Sequence, residues 1–391
     1  MKIALAIENF STHAGGAERY AVDLAGKLVA EGWQVHLFGY SWDGYPREAV
    51  FHPIRKPPKW VPPSLRVIDF ALQHRKLVSQ EHFDIVLGFG NTIVMNVYQS
   101  HGGVHHISSV KKLGAVRNPL HRLLKMLLLF GSPKYHARAW VESAPFRMPH
   151  RPLIIAISEM LREDISRYFQ VSKEEIALVY NGIDVERFRQ IGLEEEAKEL
   201  RHKLGFDKQV LFVFMAFDFR KKGVSFLLEA AASLRDQVPA DSFGVVVVGG
   251  PPSPSLTKRV RSLDLSDIVV FPGKTHTPEL FYQACDAFVL PTFYDACSLV
   301  VFEAMAAGLP AITSVYNGAA GIIEDGVDGR ILQDPADVDE LAAAMRWLLE
   351  PQALKMASEA ARNKASQYTL ERNHQQILAI LNKALQEKNT E

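Results

Sequence analysis

Short apolar runs alternate with helical patterns along most of this chain, and this alternation restricts the fold more than any other feature. Lys2–Ile7 and Gln34–Tyr40 have the length and composition of buried strands, and Ala17–Glu31 between them has apolar residues at helical spacing. A strand, a helix and a strand in this order pair in parallel through a right-handed crossover. Asp84–Phe89 and Leu153–Ile157 extend the pattern, so we predict a parallel sheet in the first half of the chain.

A second set of apolar runs and helical patterns begins near Val210 and predicts a second parallel sheet. We therefore expect an α/β protein with two Rossmann-like domains facing each other across a cleft, at residues 1–184 and 185–366, and a helix at 367–391 that packs back on the first domain. The predicted strands of the second domain are Val210–Ala216, Phe243–Val248, Ile268–Phe271, Ala287–Leu290 and Ala311–Thr313, and its predicted helices are Val224–Leu234, Pro278–Cys285 and Ser298–Ala307.

The segment Pro291–Pro310 has the most chemical content in the sequence. It follows a buried strand and opens a helix that Gly308 is placed to end, with Asp295 in the loop and Glu303 within the helix. The N–H groups at such a helix start attract a diphosphate, and carboxylates accept hydrogen bonds from sugar hydroxyls. This pattern favours a nucleotide-sugar site over the alternative, a solvated loop carboxylate and a surface glutamate.

Charge is unevenly distributed in a chain with a net charge of zero. Residues 1–150 contain eighteen Lys and Arg against ten Asp and Glu, and much of the excess lies within residues 100–151. Arg117–Phe130 within this segment predicts an amphipathic basic helix. Such a helix suits an anionic membrane surface, although packing on its own domain remains an alternative. The overall neutrality gives no sign of a nucleic-acid partner.

The cysteine content and the N-terminal sequence favour a cytoplasmic protein. Cys285 and Cys297 are the only cysteines, which suits a reducing compartment. Cys297 lies near a helix start and has either a reactive thiol or, our preferred interpretation, a packing role. Met1–Glu8 resembles a first strand rather than a secretion signal, and no segment is long enough to span a bilayer. We expect a cytoplasmic protein, peripheral on the inner face of the cytoplasmic membrane if the basic segment binds lipid.

Five short motifs follow one another along the chain. They are the Gly-Gly loop Gly15–Arg19, the N-G-I-D turn Val179–Asp184, the basic element Phe219–Val224, the D-x7-E pair Asp295 and Glu303, and the glycine-rich block Asn317–Gly329. In this order they resemble the retaining family 4 glycosyltransferases, which have the GT-B fold. The resemblance covers nearly the whole chain, and the ordered set is specific. Within the family, the bacterial lipopolysaccharide core glucosyltransferases look most similar, through Asp218–Val224 and Ser41–Gly44.

The resemblance implies a role for each matching residue. Lys221 and Lys222 would stabilise the leaving diphosphate, Asp295 would contact the hexose, Glu303 would bind the ribose, and His101 would touch the sugar near the reaction centre. The family commonly has Arg where this chain has Lys221, and Glu where it has Asp295. Lys221 lacks the bidentate hydrogen bonding of Arg, a loss that neighbouring Arg220 would offset. The other expected donor contacts are Gly15, Gly16, Gly273, Lys274, Ala296, Cys297, Ser298, Leu299, Val300 and Gly318.

The same resemblance implies transfer of a hexose with retention of configuration. Our best expectation is glucose from a UDP donor, moved to a saccharide or lipid-linked acceptor in cell-envelope glycan synthesis such as lipopolysaccharide core. No metal or other cofactor is expected, since the lysines supply the positive charge. A metal cluster of His101, His105 and His106 lacks a nearby acid or cysteine to complete its shell.

Other functions remain open on the same fold class. A dehydrogenase is disfavoured, because Gly15-Gly16 lacks the G-x-G-x-x-G spacing and Phe38–Tyr40 ends without an acid. A glycogen-type phosphorylase would need a pyridoxal lysine site, which the sequence does not show. A GT-B-fold nucleotide-sugar epimerase and a non-catalytic sugar-nucleotide-binding protein are the two alternatives that the motifs leave.

Overall fold

A computed structural model describes residues 1–11, 15–189, 192–206 and 210–388 of the 391-residue chain. The chain divides into two compact units. The first contains Met1–Val110, Asn118–Tyr180 and Glu371–Glu391, and the second contains Lys111–Arg117 and Asn181–Leu370. We call Lys111–Arg117 the strap, because these seven residues belong to the second unit although both flanking segments belong to the first.

The first unit is built on a parallel sheet of seven strands. The strands of this unit are β1 (Lys2–Ala6), β2 (Asn9–Phe10), β3 (Gln34–Gly39), β4 (Ser41–Trp42), β5 (Val50–Pro53), β6 (Ile85–Gly88), β7 (Val97–Ser100), β8 (Leu153–Ala156) and β9 (Ile176–Leu178). Of these, β2 and β4 form a separate short parallel pair. The order across the main sheet is β5-β3-β1-β6-β7-β8-β9. Its helices are α1 (Gly16–Ala30), α2 (Pro63–Val78), α3 (His105–Lys111, whose last residue begins the strap), α4 (Pro119–Phe130), α5 (Pro133–Ser143) and α6 (Glu159–Phe169), with 3-10 turns at Pro145–Arg147 and Lys173–Glu175. A further 3-10 turn, Lys112–Ala115, lies within the strap.

The second unit is built on a parallel sheet of six strands in the order β12-β11-β10-β13-β14-β15. Its strands are β10 (Val210–Ala216), β11 (Phe243–Gly249), β12 (Val269–Gly273), β13 (Ala287–Leu290), β14 (Ala311–Ser314) and β15 (Gly329–Leu332). Its helices are α7 (Val185–Phe188), α8 (Glu194–Lys203), α9 (Val224–Arg235), α10 (Pro254–Ser262), α11 (Pro278–Ala284), α12 (Leu299–Ala306), α13 (Val338–Trp347) and α14 (Pro351–Ala365), with a 3-10 turn at Gly318–Ile322.

The last helix, α15 (Leu370–Lys388), completes the core of the first unit. Ile377 and Leu381 are fully buried in one cluster with Leu5 of β1 and Leu24 of α1. Each such side chain contributes about 2 kcal/mol by leaving water. The first unit therefore depends on residues from both ends of the chain.

The prediction of two parallel α/β sheets is confirmed. Strands that are buried on both faces read as continuous apolar runs, and β10 and β13 begin and end at the predicted residues. Gly308 ends α12 with a φ of 91°, a left-handed conformation that glycine adopts without strain. Strands β5 and β7 were not predicted, because one borders a proline-rich stretch and the other contains Tyr98 and Gln99.

The amphipathic helix α4 is shorter than the predicted helix Arg117–Phe130. It begins at Pro119 rather than Arg117, because Asn118 caps it by accepting a hydrogen bond from the His121 N–H group at 3.0 Å and proline suits the first helical position. Its leucines are exposed, including Leu120 at 73% and Leu128 at 65%. The described residues thus leave the apolar face of α4 open.

A buried histidine makes the first unit sensitive to acid. His74 of α2 is fully buried against the edge of the Phe38 ring, and neither ring nitrogen has a hydrogen-bond partner among the described residues. Burial lowers the pKa of His74 to about 4. The folded protein therefore holds this ring neutral at pH values where an exposed histidine, with a pKa of about 6.5, takes a proton.

We predict that His74→Phe removes part of the acid sensitivity. The pKa is lower in the folded state, so stability from this group is present above pH 6.5 and is lost as the pH falls from there towards 4, by roughly 3 kcal/mol. Urea unfolding of both proteins at pH 7 and pH 5 measures the effect. The variant should lose less free energy of unfolding on acidification, and equal losses would contradict the assignment.

Candidate functional site

The loop after β10 brings the predicted basic element to the carboxyl end of the second sheet. The backbone N–H of Lys221 donates to Asp218 Oδ1 at 3.1 Å, and its ammonium lies 2.6 Å from Asp218 Oδ2. Gly223 closes the loop with a φ of 83°. A Cβ at Gly223 would lie 2.1 Å from the Pro291 carbonyl oxygen, so only glycine lets this loop approach the end of β13.

Lys222 and Asp295 meet as an ion pair at the ends of β10 and β13. The Lys222 ammonium donates to Asp295 Oδ2, which also accepts from the Ser298 hydroxyl, while Oδ1 accepts from the Cys297 N–H at 3.3 Å. Both side chains of the pair are largely buried, at 22% and 23% exposed. Two residues that sequence analysis placed at one site are thus in direct contact.

Asp295 is ionised at neutral pH. Burial raises its pKa, but the charge of Lys222 and the hydrogen bonds from Lys222, Ser298 and Cys297 outweigh burial, and the net pKa lies below the ordinary value. Such a carboxylate accepts hydrogen bonds and does not donate a proton. This fits the expected role of Asp295 in binding substrate.

Asn317 ties the loops after β13 and β14 together. It is buried, and its Oδ1 accepts from the N–H groups of Ser298 at 3.2 Å and Ala319 at 3.1 Å. Its Nδ2 donates to Thr313 Oγ1 at 3.0 Å. Asn317 was not predicted as a site residue, because an Asn before a glycine is typical of an ordinary turn.

Three predicted phosphate-binding amides are already occupied. The Gly318 N–H donates to the Asp295 carbonyl at 2.8 Å, and the N–H groups of Cys297 and Ser298 donate to Asp295 and Asn317. The loop's internal hydrogen bonds use these amides in this structure, and the expected donor contact of Gly318 stays a prediction.

Glu303 lies on α12, which begins only at Leu299, so half of the segment from Asp295 is loop. Its Oε2 accepts a hydrogen bond from the Tyr282 hydroxyl at 3.1 Å. Tyr282 is a second residue that sequence analysis missed, since a tyrosine in an apolar helix reads as core. Cys297 is buried, and burial first and then Asp295 raise the pKa of its thiol well above its usual range, which fits the packing role expected for it.

The other predicted site residues of the second unit lie in the loops after its strands or at the start of α12. Ala296 is buried, and Leu299 and Val300 form the first turn of α12. Arg220 is exposed in the loop after β10. Gly273 ends the edge strand β12 with a φ of 91°, and Lys274 follows it, exposed.

Gly15, Gly16 and His101 lie in the first unit, where they follow strands of its sheet. Gly15 is the N-cap of α1 and Gly16 its first residue, while residues 12–14 of the same loop lie outside the described ranges. His101 follows β7, and its ring lies 4.5 Å from the Tyr20 ring of α1. Burial lowers the pKa of His101 to about 3, so the imidazole is neutral.

Neither a metal cluster nor a membrane span is found among the described residues. No group of three or more His, Cys, Asp or Glu in those ranges is arranged to hold a metal ion. No helix within them combines the length and apolar character that crossing a bilayer requires.

Known families and structures match both units. The model for glycosyl transferases group 1 matches residues 196–368, and the model for glycosyltransferase family 4 matches residues 14–187. The chain therefore carries a glycosyltransferase family 4 domain followed by a glycosyl transferases group 1 domain. Lipopolysaccharide glucosyltransferase WaaG of Escherichia coli K12 is 25% identical over 354 residues, which cover 90% of this chain and 91% of WaaG.

Solved structures show the GT-B fold. The crystal structure of WaaG matches with a TM-score of 0.79 at 22% identity, covering 97% of this chain and 99% of WaaG. Anabaena HepE in complex with UDP and glucose matches with a TM-score of 0.70 at 20% identity, covering 98% of this chain and all of that one (100%). The chain is thus a glycosyltransferase of glycan synthesis, as the motifs predicted.

We predict that Gly223→Ala disrupts the Lys222–Asp295 pair. The positive φ and the contact with Pro291 each oppose a Cβ, so unfolding free energy should fall by about 2 kcal/mol or more. Gly250→Ala is the control, since no atom lies within 4 Å of a Cβ there. Urea unfolding compares the two, and a Gly223→Ala protein as stable as the control would contradict the loop geometry.

Proposed function

We propose that this glycosyltransferase moves a hexose, best glucose from UDP-glucose, to a saccharide or lipid-linked acceptor in cell-envelope glycan synthesis such as lipopolysaccharide core. The observation that carries the proposal is the contact of Lys222 with an ionised Asp295, with Glu303 on the helix that follows. The donor is supported by the HepE complexes with UDP and UDP-glucose, and the pathway by the name of WaaG.

The chemistry assigned to these residues is electrostatic. As the glycosidic bond to the diphosphate breaks, negative charge grows on the leaving oxygen, and Lys221 and Lys222 stabilise it without a metal ion. Lys222 already points at this end of the sheet because Asp295 holds it there. The largely buried position strengthens these interactions relative to water.

We propose retention of configuration, with the leaving phosphate oxygen accepting the proton of the acceptor hydroxyl on the same face. Asp295 is too firmly paired and ionised to transfer protons, so its role is to bind hexose hydroxyls. His101 remains our candidate for a sugar contact from the first unit. As a neutral imidazole it would hydrogen-bond without adding positive charge.

Donor binding and slow donor hydrolysis across UDP-, GDP- and ADP-sugars test the function. One nucleotide sugar should bind and turn over, and Asp295→Ala and Glu303→Ala should each lower kcat/KM by 100-fold or more, as loss of a charged hydrogen bond in a partly buried site predicts. Product anomers identified by NMR test retention.

Trp140→Phe is a control for this experiment, since Trp140 is 44% exposed on α5 of the first unit. If no nucleotide sugar binds, the transferase proposal fails. If a donor is converted to an epimer without transfer, the epimerase alternative takes its place.

We also propose that α4 lies on an anionic membrane surface. Leu120, Leu124, Leu127 and Leu128 are exposed on a helix that also presents Arg122 and Lys125. An open apolar face beside positive charge is typical of helices that lie in the lipid interface.

Flotation with vesicles of phosphatidylglycerol and phosphatidylcholine tests the membrane proposal. The protein should float with anionic vesicles, and Leu124→Ser with Leu128→Ser should abolish flotation because less apolar area is buried in the lipid. Leu72→Ser, an exposed leucine of α2, should have no effect. Equal flotation of all three proteins, or no flotation of wild type, would count against this proposal.

A further inference from the structure

Tyr282 joins the core of the second unit to the carboxylate of Glu303. The side chain has no exposed surface, and its hydroxyl lies 3.1 Å from Glu303 Oε2 and 3.4 Å from Met215 Sδ. A carboxylate is a much stronger acceptor than a thioether, so the hydroxyl donates to Glu303. A phenylalanine would fill the same space, which makes the hydroxyl the informative part of this residue.

The Tyr282 hydroxyl keeps its proton across the working pH range. Burial raises the pKa of Tyr282 well above its usual range, and the charge of Glu303 raises it further. The phenol therefore stays protonated. The Tyr282 hydroxyl therefore remains able to donate to Glu303.

The tyrosine ring is held in place by neighbours on two other elements. Its centroid lies 5.9 Å from that of Phe188 on α7 and 6.2 Å from that of Phe288 on β13. A fully buried ring between such neighbours has little freedom to change rotamer. The hydroxyl is consequently a fixed point from which the Glu303 carboxylate is oriented.

We propose that Tyr282 is a positioning residue that orients Glu303 towards the ribose hydroxyls of the nucleotide donor. The inference rests on the proposed function, because it takes Glu303 as the ribose-binding carboxylate. The orientation matters since a preformed acceptor loses less conformational freedom on binding than a mobile one. A purely structural hydroxyl would instead affect folding and leave ribose recognition unchanged.

Calorimetric titration of Tyr282→Phe with UDP, 2′-deoxy-UDP and 3′-deoxy-UDP tests the inference. The variant should bind UDP about tenfold more weakly than wild type, the size expected for a charge-assisted hydrogen bond lost from a site. This loss of affinity should shrink to less than about twofold for whichever of the two deoxy nucleotides lacks the hydroxyl that Glu303 binds. The kcat of donor hydrolysis at saturation should stay within about twofold, so that the change appears in KM.

Two further variants complete the design. Glu303→Gln keeps the shape of the side chain but removes its charge, and should reduce the same discrimination between UDP and deoxy nucleotides. Tyr368→Phe is the matched control, since the Tyr368 ring packs on Phe302 of the same helix α12 at 5.4 Å. It should bind all three nucleotides like wild type.

The outcomes separate this inference from the proposed function. A wild type that binds no nucleoside diphosphate overturns both. If wild type binds UDP, either of two results for Tyr282→Phe overturns only the positioning role. The variant binds UDP as tightly as wild type does, or it binds all three nucleotides more weakly by the same factor. A folded Tyr282→Phe protein that loses affinity only for nucleotides carrying the ribose hydroxyl supports it.

Discussion

The ion pair between Lys222 and Asp295 is the interaction on which the candidate donor site depends. It joins the loops after β10 and β13, and both partners are mostly shielded from water. A partly buried pair of this kind contributes little net free energy to folding, but losing one partner leaves an uncompensated charge that costs several kcal/mol. The pair therefore matters for geometry rather than for stability, because it keeps a cation and a hydrogen-bond acceptor together before any ligand binds.

The pair is held by a layer of hydrogen bonds behind it. Parallel strands end at the same edge of a sheet, so the loops after β13 and β14 lie side by side. There, the Asp295 N–H donates to the Tyr316 carbonyl at 2.9 Å, and the Gly318 N–H donates to the Asp295 carbonyl at 2.8 Å. Asn317 satisfies further amides of the same loops. Two residues that were predicted to contact the donor, Cys297 and Gly318, thus hold Asp295 through their backbone amides in this structure.

Sequence patterns predicted the sheets and the main charged residues, because apolar runs and loop charges are local signals. They could not predict Tyr282 or Asn317. The roles of these residues come from contacts with Glu303 and Ser298, which lie 21 and 19 positions away along the chain, and no periodicity marks such contacts. Strand β7 was missed because it contains the polar Gln99, which a sequence pattern assigns to the surface. In the structure, the Gln99 side-chain amide donates to the Tyr20 hydroxyl at 2.9 Å and is fully buried.

The strap shows why the basic segment cannot be interpreted as a single surface. A Cβ at Gly114 would lie 2.7 Å from Phe293 Cδ1, and the Lys111 ammonium lies 3.9 Å from the Tyr316 ring centroid. Arg117 pairs with Glu229 and covers the Phe226 ring at 4.5 Å.

These positive charges are engaged with aromatic rings and an acid of the second unit, interactions of roughly 0.5–2 kcal/mol each. Arg122 and Lys125 lie on α4 beside exposed leucines. The basic residues of this segment therefore fall into two groups. Lys111 and Arg117 attach the strap to the second unit, whereas Arg122 and Lys125 belong to a helix of the first unit.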